Sequence, residues 1–336
     1  MNISNLQIQV LKAEYGDCIF LSIKKEKHEF NILVDGGLKK TYQNLKNKRI
    51  PSGPLKELIN ELKQTSRLIN LIIVTHIDDD HIGGIKEWFE SDFPSNKFVN
   101  KIWMNGEMEV KDNLDLNNTV ANAVSVIKML KDNNISVDDN LIKGHIYQNE
   151  FCIIRIIAPA REYRNTIAKT IHASLDNATN SKDSDSKSFK ELVLEDWNMN
   201  TISPENKASI AFELEIWDGV KLLLLGDADY DDIMSGLDFF YRDKCEKLKY
   251  NMVKLSHHGS KNNFRPDFLE RVQANYYIVS SNGCNFGHPD KEVIAQIICN
   301  SDSSILFNYE ERMNEMLTSQ DNIDFPNLAS RIKAID

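Results

Sequence analysis

The sequence predicts an α/β fold of two layered sheets flanked by helices. Short β-rich apolar runs fall into two groups along the chain, each followed by stretches with helical spacing. Polar clusters sit directly at the ends of several of these runs. At 336 residues and 41% hydrophobic, the chain can bury a sizeable core, yet no apolar run reaches the ~18 residues of a membrane span.

Residues 6–11, 18–23 and 30–34 open the chain as strands, the first alternating Leu6, Ile8 and Val10. The third runs into Asp35-Gly36-Gly37, a sharp stop. Residues 54–64 place Leu55, Leu58, Ile59 and Leu62 on one helical face. An apolar strand at 68–74 ends in the polar cluster 75–80; Gly83-Gly84 and a helical stretch at 85–90 follow. A helix is expected over 117–131, on the spacing of Val120, Val124, Ile127 and Leu130, and a strand over 151–157.

From 158 to 205 the composition changes. Residues 174–188 are nearly all small and polar, so 160–205 reads as a polar surface insertion within a single domain spanning 1–336. Strands resume at 209–216 and 220–225, joined by Trp217-Asp218-Gly219. A helix after Asp229, a strand at 252–255, a helix near 266–272, a strand at 276–279, a helix at 291–298 and a last strand at 305–309 complete the pattern.

A net charge of -10 is not the field of a protein that coats nucleic acid. A polyanionic substrate would have to be held locally, by a metal or a basic pocket. The five cysteines are odd in number and show no CxxC spacing, which argues against a disulfide framework or a structural zinc ribbon and fits scattered thiols in a reducing cytoplasm. Residues 1–10 lack the basic-then-apolar pattern of a secretory signal, so a cytoplasmic protein without membrane contact is expected.

The chemistry concentrates in His76-Ile77-Asp78-Asp79-Asp80-His81, where the potential ligands His76, Asp78, Asp80 and His81 lie within six residues directly after a buried strand. Imidazole and carboxylate are ligands for zinc, manganese or iron, and a turn leaving a strand can aim several side chains at one point. Other strand ends carry Gly226-Asp227, Ser256-His257-His258-Gly259-Ser260 and Gly287-His288-Pro289. Asp227 precedes a helical stretch, where it could instead serve as an N-cap. Adjacent histidines should face different ways, so at most one of His257 and His258 is expected as a ligand. Five of the eight histidines follow predicted strands in this way.

Taken together, Asp35-Gly36-Gly37, the Thr-His-x-Asp-x-Asp-His-x-Gly-Gly run of 75–84, Gly226-Asp227, His-His-Gly-Ser at 257–260 and Gly287-His288-Pro289 resemble the metallo-β-lactamase fold superfamily. Within it the chain is most similar to the branch typified by the hydrolase domain of ComEC-type competence proteins. Tyr15-Gly16-Asp17 looks like that branch's early Gly-Asp turn. Most of the superfamily has histidine where this chain has Asp78, and no histidine precedes the strand at 209; Asn206 and Ser209 stand there.

The resemblance covers about 6–298 and implies an αββα sandwich of two mixed sheets with helices outside. It implies that His76 and Asp78 bind one divalent cation, that Asp80, His81 and His288 bind a second, and that Asp227 bridges them; the ions would be zinc or manganese, with iron also compatible. His257 remains an alternative to His288. Asp35 and Asn206 are expected behind the ligands, orienting imidazoles. His257, His258 and Asp80 are the candidate catalytic residues, one of the histidine pair protonating the leaving group. Lys254 and Lys261, with Arg265 nearby, would supply positive charge for a phosphate.

The expected activity is metal-dependent phosphoester hydrolysis by a metal-bound hydroxide, as a nuclease or nucleotide phosphodiesterase, the substrate carrying phosphate as a nucleic acid or nucleotide. Two alternatives stand beside it: lactone, thioester or amide hydrolysis on the same fold, and a partner-gated effector of a toxin or anti-phage system; a protein partner or a homo-oligomer is compatible with either.

Overall fold

The computed structural model of the chain describes residues 1–43, 51–105, 118–133, 135–163 and 181–335. The first sheet holds β1 (Asn2–Ile3), β2 (Leu6–Val10), β3 (Ile19–Lys25), β4 (His28–Val34), β5 (Leu71–Val74), β6 (Lys101–Met104) and β7 (Ser136–Asp138), in sequence order. Pairing is antiparallel from β1 to β4 and parallel from β4 to β7.

The second sheet holds β8 (Ile146–Gln148), β9 (Cys152–Ala158), β10 (Ala211–Ile216), β11 (Lys221–Leu224), β12 (Leu248–Lys254), β13 (Val272–Val279), β14 (Ser304–Phe307) and β15 (Ile332–Ala334). It is antiparallel from β8 to β11 and parallel from β11 to β15. Both sheets are therefore mixed, as expected.

Three apolar layers follow from strand alternation. Leu71 and Ile73 of β5 face the second sheet and meet the layer of Phe212, Leu214, Leu222 and Leu224. Their neighbours Ile72 and Val74 point outward onto Leu55, Leu58, Ile59 and Leu62 of the helix Pro54–Gln64 and onto Trp88. On the far side, Leu223, Val253 and Tyr277 pack against Val293, Ile294 and Ile297 of the helix Lys291–Asn300. Strands buried on both faces read as continuous apolar runs, and each fully buried Leu or Ile contributes roughly 1.5–3 kcal/mol over exposure. The order of layers is helix, sheet, sheet, helix.

Three expectations are corrected. The helix expected at 85–90 begins at Asp79 and runs to Ser91, with both glycines inside it. Gly84 is there because its backbone packs on the Asp35–Leu38 turn: a Cβ would lie 2.0 Å from the Gly36 carbonyl oxygen. The helix expected over 266–272 is the single turn Phe268–Arg271, and β13 begins at once with Val272. The segment 160–205 is not a surface excursion throughout. Its residues 164–180 lie outside the described ones, but Phe189 and Leu192 of the helix Phe189–Leu192 are fully buried in the outer layer. A capping box between Ser188 and Glu191 starts that helix. Residue 117, at the start of the expected 117–131 helix, is outside the described residues, and the helix observed is Asn118–Asp132.

No helix among the described residues is long and apolar enough to cross a membrane.

Candidate metal centre

The ends of β4, β5, β11, β12 and β13 lie at one rim, where parallel strands of both sheets run out. The chain leaves them as Asp35, His76, Asp227, His257-His258 and Ser280. Asp35, His257 and His258 take left-handed backbone angles, φ 58°, 45° and 55°. Such non-glycine conformations cost of order 1–3 kcal/mol each and cluster at functional sites. Asp227 is not a cap: the following helix, Tyr230–Tyr241, has Asp229 in that position.

The side chains converge. Asp227 stands in the middle, with Oδ1 3.4 Å from His81 Nε2 and Oδ2 3.6 Å from His76 Nε2 and 3.7 Å from His257 Nε2. His258 Nε2 lies 3.5 Å from Asp80 Oδ2, and Asp78 Oδ2 lies 3.8 Å from His76 Nε2. Among the described residues, His76, His81 and Asp227 form one group with donor atoms all within 4.8 Å, and Asp80, His81 and His258 form another. A third such group, Asp17, Asp35 and His81, lies behind them.

The hydrogen bonds fix which ring nitrogen faces inward. Asp35 accepts from the Thr75 N–H at 2.7 Å, the Thr75 hydroxyl at 2.7 Å and His81 Nδ1–H at 2.9 Å. Because the Thr75 hydroxyl donates to Asp35, it accepts from His76 Nδ1–H, 3.1 Å away. His258 Nδ1–H donates to the Ser280 carbonyl at 3.0 Å, an oxygen that can only accept. Asn263 Nδ2 donates to the Asp227 and Ala228 carbonyls, which turns its Oδ1 toward His257 Nδ1 at 3.1 Å.

Each imidazole is thus held through Nδ1–H and presents the Nε2 lone pair to the centre. His76, His81 and His258 Nε2 and Asp227 Oδ1 are buried and have no hydrogen-bond partner. Buried polar atoms are almost always paired. Four unpaired ones facing each other, all ligand atoms, fit divalent cations, and the donor set of imidazole and carboxylate is suited to zinc, manganese or iron.

Electrostatics agree. Burial opposes charge on His81, but Asp227, Asp35 and Asp80 outweigh it and raise its pKa well above the usual histidine range. Burial likewise opposes charge on His258, yet Asp17 and Asp227 lift it to about 9. His76 moves the other way, to about 3, through burial and the neighbouring His81. The carboxylates draw positive charge onto His81 and His258, and a cation competes with protons for the same nitrogens.

The expectation that His257 and His258 face different ways is corrected, because both Nε2 atoms look into the centre. His258 stands with Asp80 and His81, where His288 was expected. His288 lies at the edge, its ring 5.1 Å from that of His257 and its Nδ1 3.6 Å from Asp290. Asn206 Nδ2 approaches His257 Nδ1 at 3.4 Å, and Ser209 Oγ accepts the Asp227 N–H at 3.0 Å.

The two lysines are elsewhere. Lys254 is 1% exposed and forms an ion pair with Asp17, so its ammonium cannot reach a substrate. A strand that is buried on both faces leaves its last residue no route outward. Lys261 is turned to Glu292 at 2.9 Å, and Arg265 pairs with Asp267 and Asp231.

Sequence reasoning assigned no role to Asp17, Thr75, Asn263 or Ser280. Asp17 is buried, accepts from the Ser280 hydroxyl and lies 3.3 Å from His258 Nδ1. Burial raises its pKa, but Lys254 and His258 outweigh this and hold it well below the usual carboxylate range. The available signal was Gly16-Asp17: a Cβ on Gly16 would lie 2.0 Å from the Asp80 carbonyl oxygen, so that turn packs directly on the ligand motif.

The overall arrangement is similar to that of several solved structures. One is a possible metal-dependent hydrolase from Veillonella parvula DSM 2008 (11% identity, TM-score 0.42, 99% of this chain and 97% of that one). Another is an isothiocyanate hydrolase from Delia radicum gut bacteria (11%, TM-score 0.39, 98% and 96%). A third is a long form RNase Z from yeast (10%, TM-score 0.37, 82% and 36%). The search of curated proteins returns no significant match. Residues 14–119, a stretch that carries Asp35 and the whole 75–84 motif, match the family model of the Metallo-beta-lactamase superfamily.

Proposed function

We propose that the chain is a hydrolase of phosphoester bonds that uses two divalent cations, with a nucleotide or nucleic acid phosphodiester as its substrate class. The observation that carries this reading is the set of buried, unpartnered Nε2 and carboxylate atoms facing one another across Asp227. His76 and Asp227, with Asp78 beside them, would hold one ion; Asp80, His81 and His258 would frame the second position, with Asp227 between the two. Two such ions lower the pKa of a shared water and neutralise charge on an attacked phosphoryl group.

The rest falls to the chain's own groups. Asp35, Thr75 and the Ser280 carbonyl keep the ligand lone pairs inward. His257, more exposed than His258 and anchored through Nδ1 by Asn263, would, when it carries protons on both ring nitrogens, hand the one on Nε2 to a leaving oxygen. The carboxylate of Asp78 in place of imidazole makes the site harder and favours the phosphoester branch that uses His-x-Asp-x-Asp-His.

A second reading, hydrolysis of a lactone, thioester or amide, is favoured by one observation: Lys254 and Lys261 are both occupied by carboxylates and offer nothing to a phosphate. Protein loaded with manganese or zinc and assayed on parallel phosphodiester, phosphomonoester and lactone panels separates them. Turnover of a phosphoester that is lost in Asp80→Ala supports the proposal; turnover of lactones alone overturns it.

A further inference from the structure

Arg312 lies in the helix Glu310–Met316, far along the chain from every residue assigned so far, and is 1% exposed. Its guanidinium is committed to the loop that carries His288. Nη2 donates to the Gly287 carbonyl at 2.6 Å and to the Pro289 carbonyl at 3.0 Å, and Nε donates to the His288 carbonyl at 3.4 Å. Three successive carbonyls therefore converge on one side chain. Nη1 donates to Asp185 at 2.6 Å, and that aspartate belongs to the polar segment preceding the helix Phe189–Leu192. The Asp185 carbonyl in turn accepts from the buried Lys291 ammonium at 3.1 Å, which also pairs with Asp321 at 2.9 Å.

We infer that Arg312 is a positioning residue for the active centre, and that Asp185 makes the 181–188 segment its outer brace. The inference rests on the reading of the strand-end cluster as the active site. Backbone carbonyls have no rotamer to set, so a loop gripped at three in a row has its direction fixed, and with it the His288 ring beside His257. Only a planar fork with several N–H groups can do this while also pairing a carboxylate; a lysine ammonium has one nitrogen and cannot span the set. The grip on His288 is indirect, through its backbone, and sets where its ring stands against that of His257.

The test compares Arg312→Lys, Asp185→Asn and His288→Ala, together with the Arg312→Lys/His288→Ala double variant. Amide hydrogen exchange of peptides covering 284–290 should rise about tenfold in Arg312→Lys, with peptides from β12 and β13 unchanged. Turnover in Arg312→Lys should fall to that of His288→Ala, and the double variant should fall no further. Asp185→Asn, at a partly exposed position, should move exchange in the same direction by less, and it carries the exchange test should Arg312→Lys not fold. Unchanged exchange overturns the inference, as does a double variant whose loss is the product of the two single losses. A wild-type protein that hydrolyses no phosphoester overturns the proposed function, while exchange still decides the clamp.

Discussion

Lys254→Met separates the structural account of this residue from the sequence expectation that it binds substrate. The ammonium and its partner Asp17 are 1% and 3% exposed. Removing one partner of a buried pair leaves an uncompensated charge, which costs about 3–5 kcal/mol. Asp17 keeps the Ser280 hydroxyl and the neighbouring His258 Nδ1, so the loss should fall near the lower end, ~3 kcal/mol. Methionine has a similar length and shape, so packing should contribute little. Urea unfolding followed by circular dichroism, on chelator-treated protein at pH 7, reads the change without any contribution from bound metal. The Asp17→Asn/Lys254→Met double variant removes both charges and should recover to within ~1 kcal/mol of wild type. A single variant within ~1 kcal/mol of wild type that instead shows a raised KM would refute the buried-pair argument and restore Lys254 as a substrate contact.

Asp35→Asn should lower metal affinity about 10–100-fold, because an amide NH2 facing His81 Nδ1 favours the wrong tautomer. Chelator competition measures this, and unchanged affinity would count against the orienting role. Gly84→Ala should cost about 1–3 kcal/mol in thermal unfolding, since the new Cβ meets the Gly36 carbonyl oxygen at 2.0 Å; an unaltered melting curve would show that the turn has room.

Asp321 gives a pH signature away from the centre. Burial raises its pKa, but its hydrogen bonds with Thr318 and Lys291 outweigh this and leave it below the usual value. A carboxylate whose folded pKa is depressed stabilises fully above the unfolded value, about 3.9, and loses that contribution as pH falls through the folded value. Asp321→Asn should therefore be less stable at pH 7 and show a shallower loss below about pH 4. Equal acid slopes would refute this.

The centre was legible where chemistry and secondary structure coincide. Four strand ends announce themselves as apolar runs followed within a few residues by Asp or His, and the 75–84 motif crowds ligands into one turn. The layering followed from runs such as 71–74, which are apolar on both faces. What stayed hidden depends on distance in sequence. Lys254 looked like a free cation because nothing local shows that Asp17 meets it inside the sandwich. Arg312 sits in a seven-residue helix, too short for a periodic signal, and its role exists only through the Gly287–Pro289 carbonyls. The glycines at 83 and 84 suggested a break, whereas they let the helix Asp79–Ser91 approach the Asp35 turn. β7, β8 and β15, at three residues each, are set by neighbouring strands and leave no pattern of their own.

The most direct measurement is elemental analysis of protein loaded with zinc or manganese and then desalted, for the wild type and for Asp227→Ala. If the unpaired nitrogens and oxygens around Asp227 are ligand atoms, the wild type should retain about two ions per chain and the variant markedly fewer at equal folded content. Wild-type protein that emerges with no more metal than a chelated control, or Asp227→Ala that keeps the wild-type complement, would contradict the account.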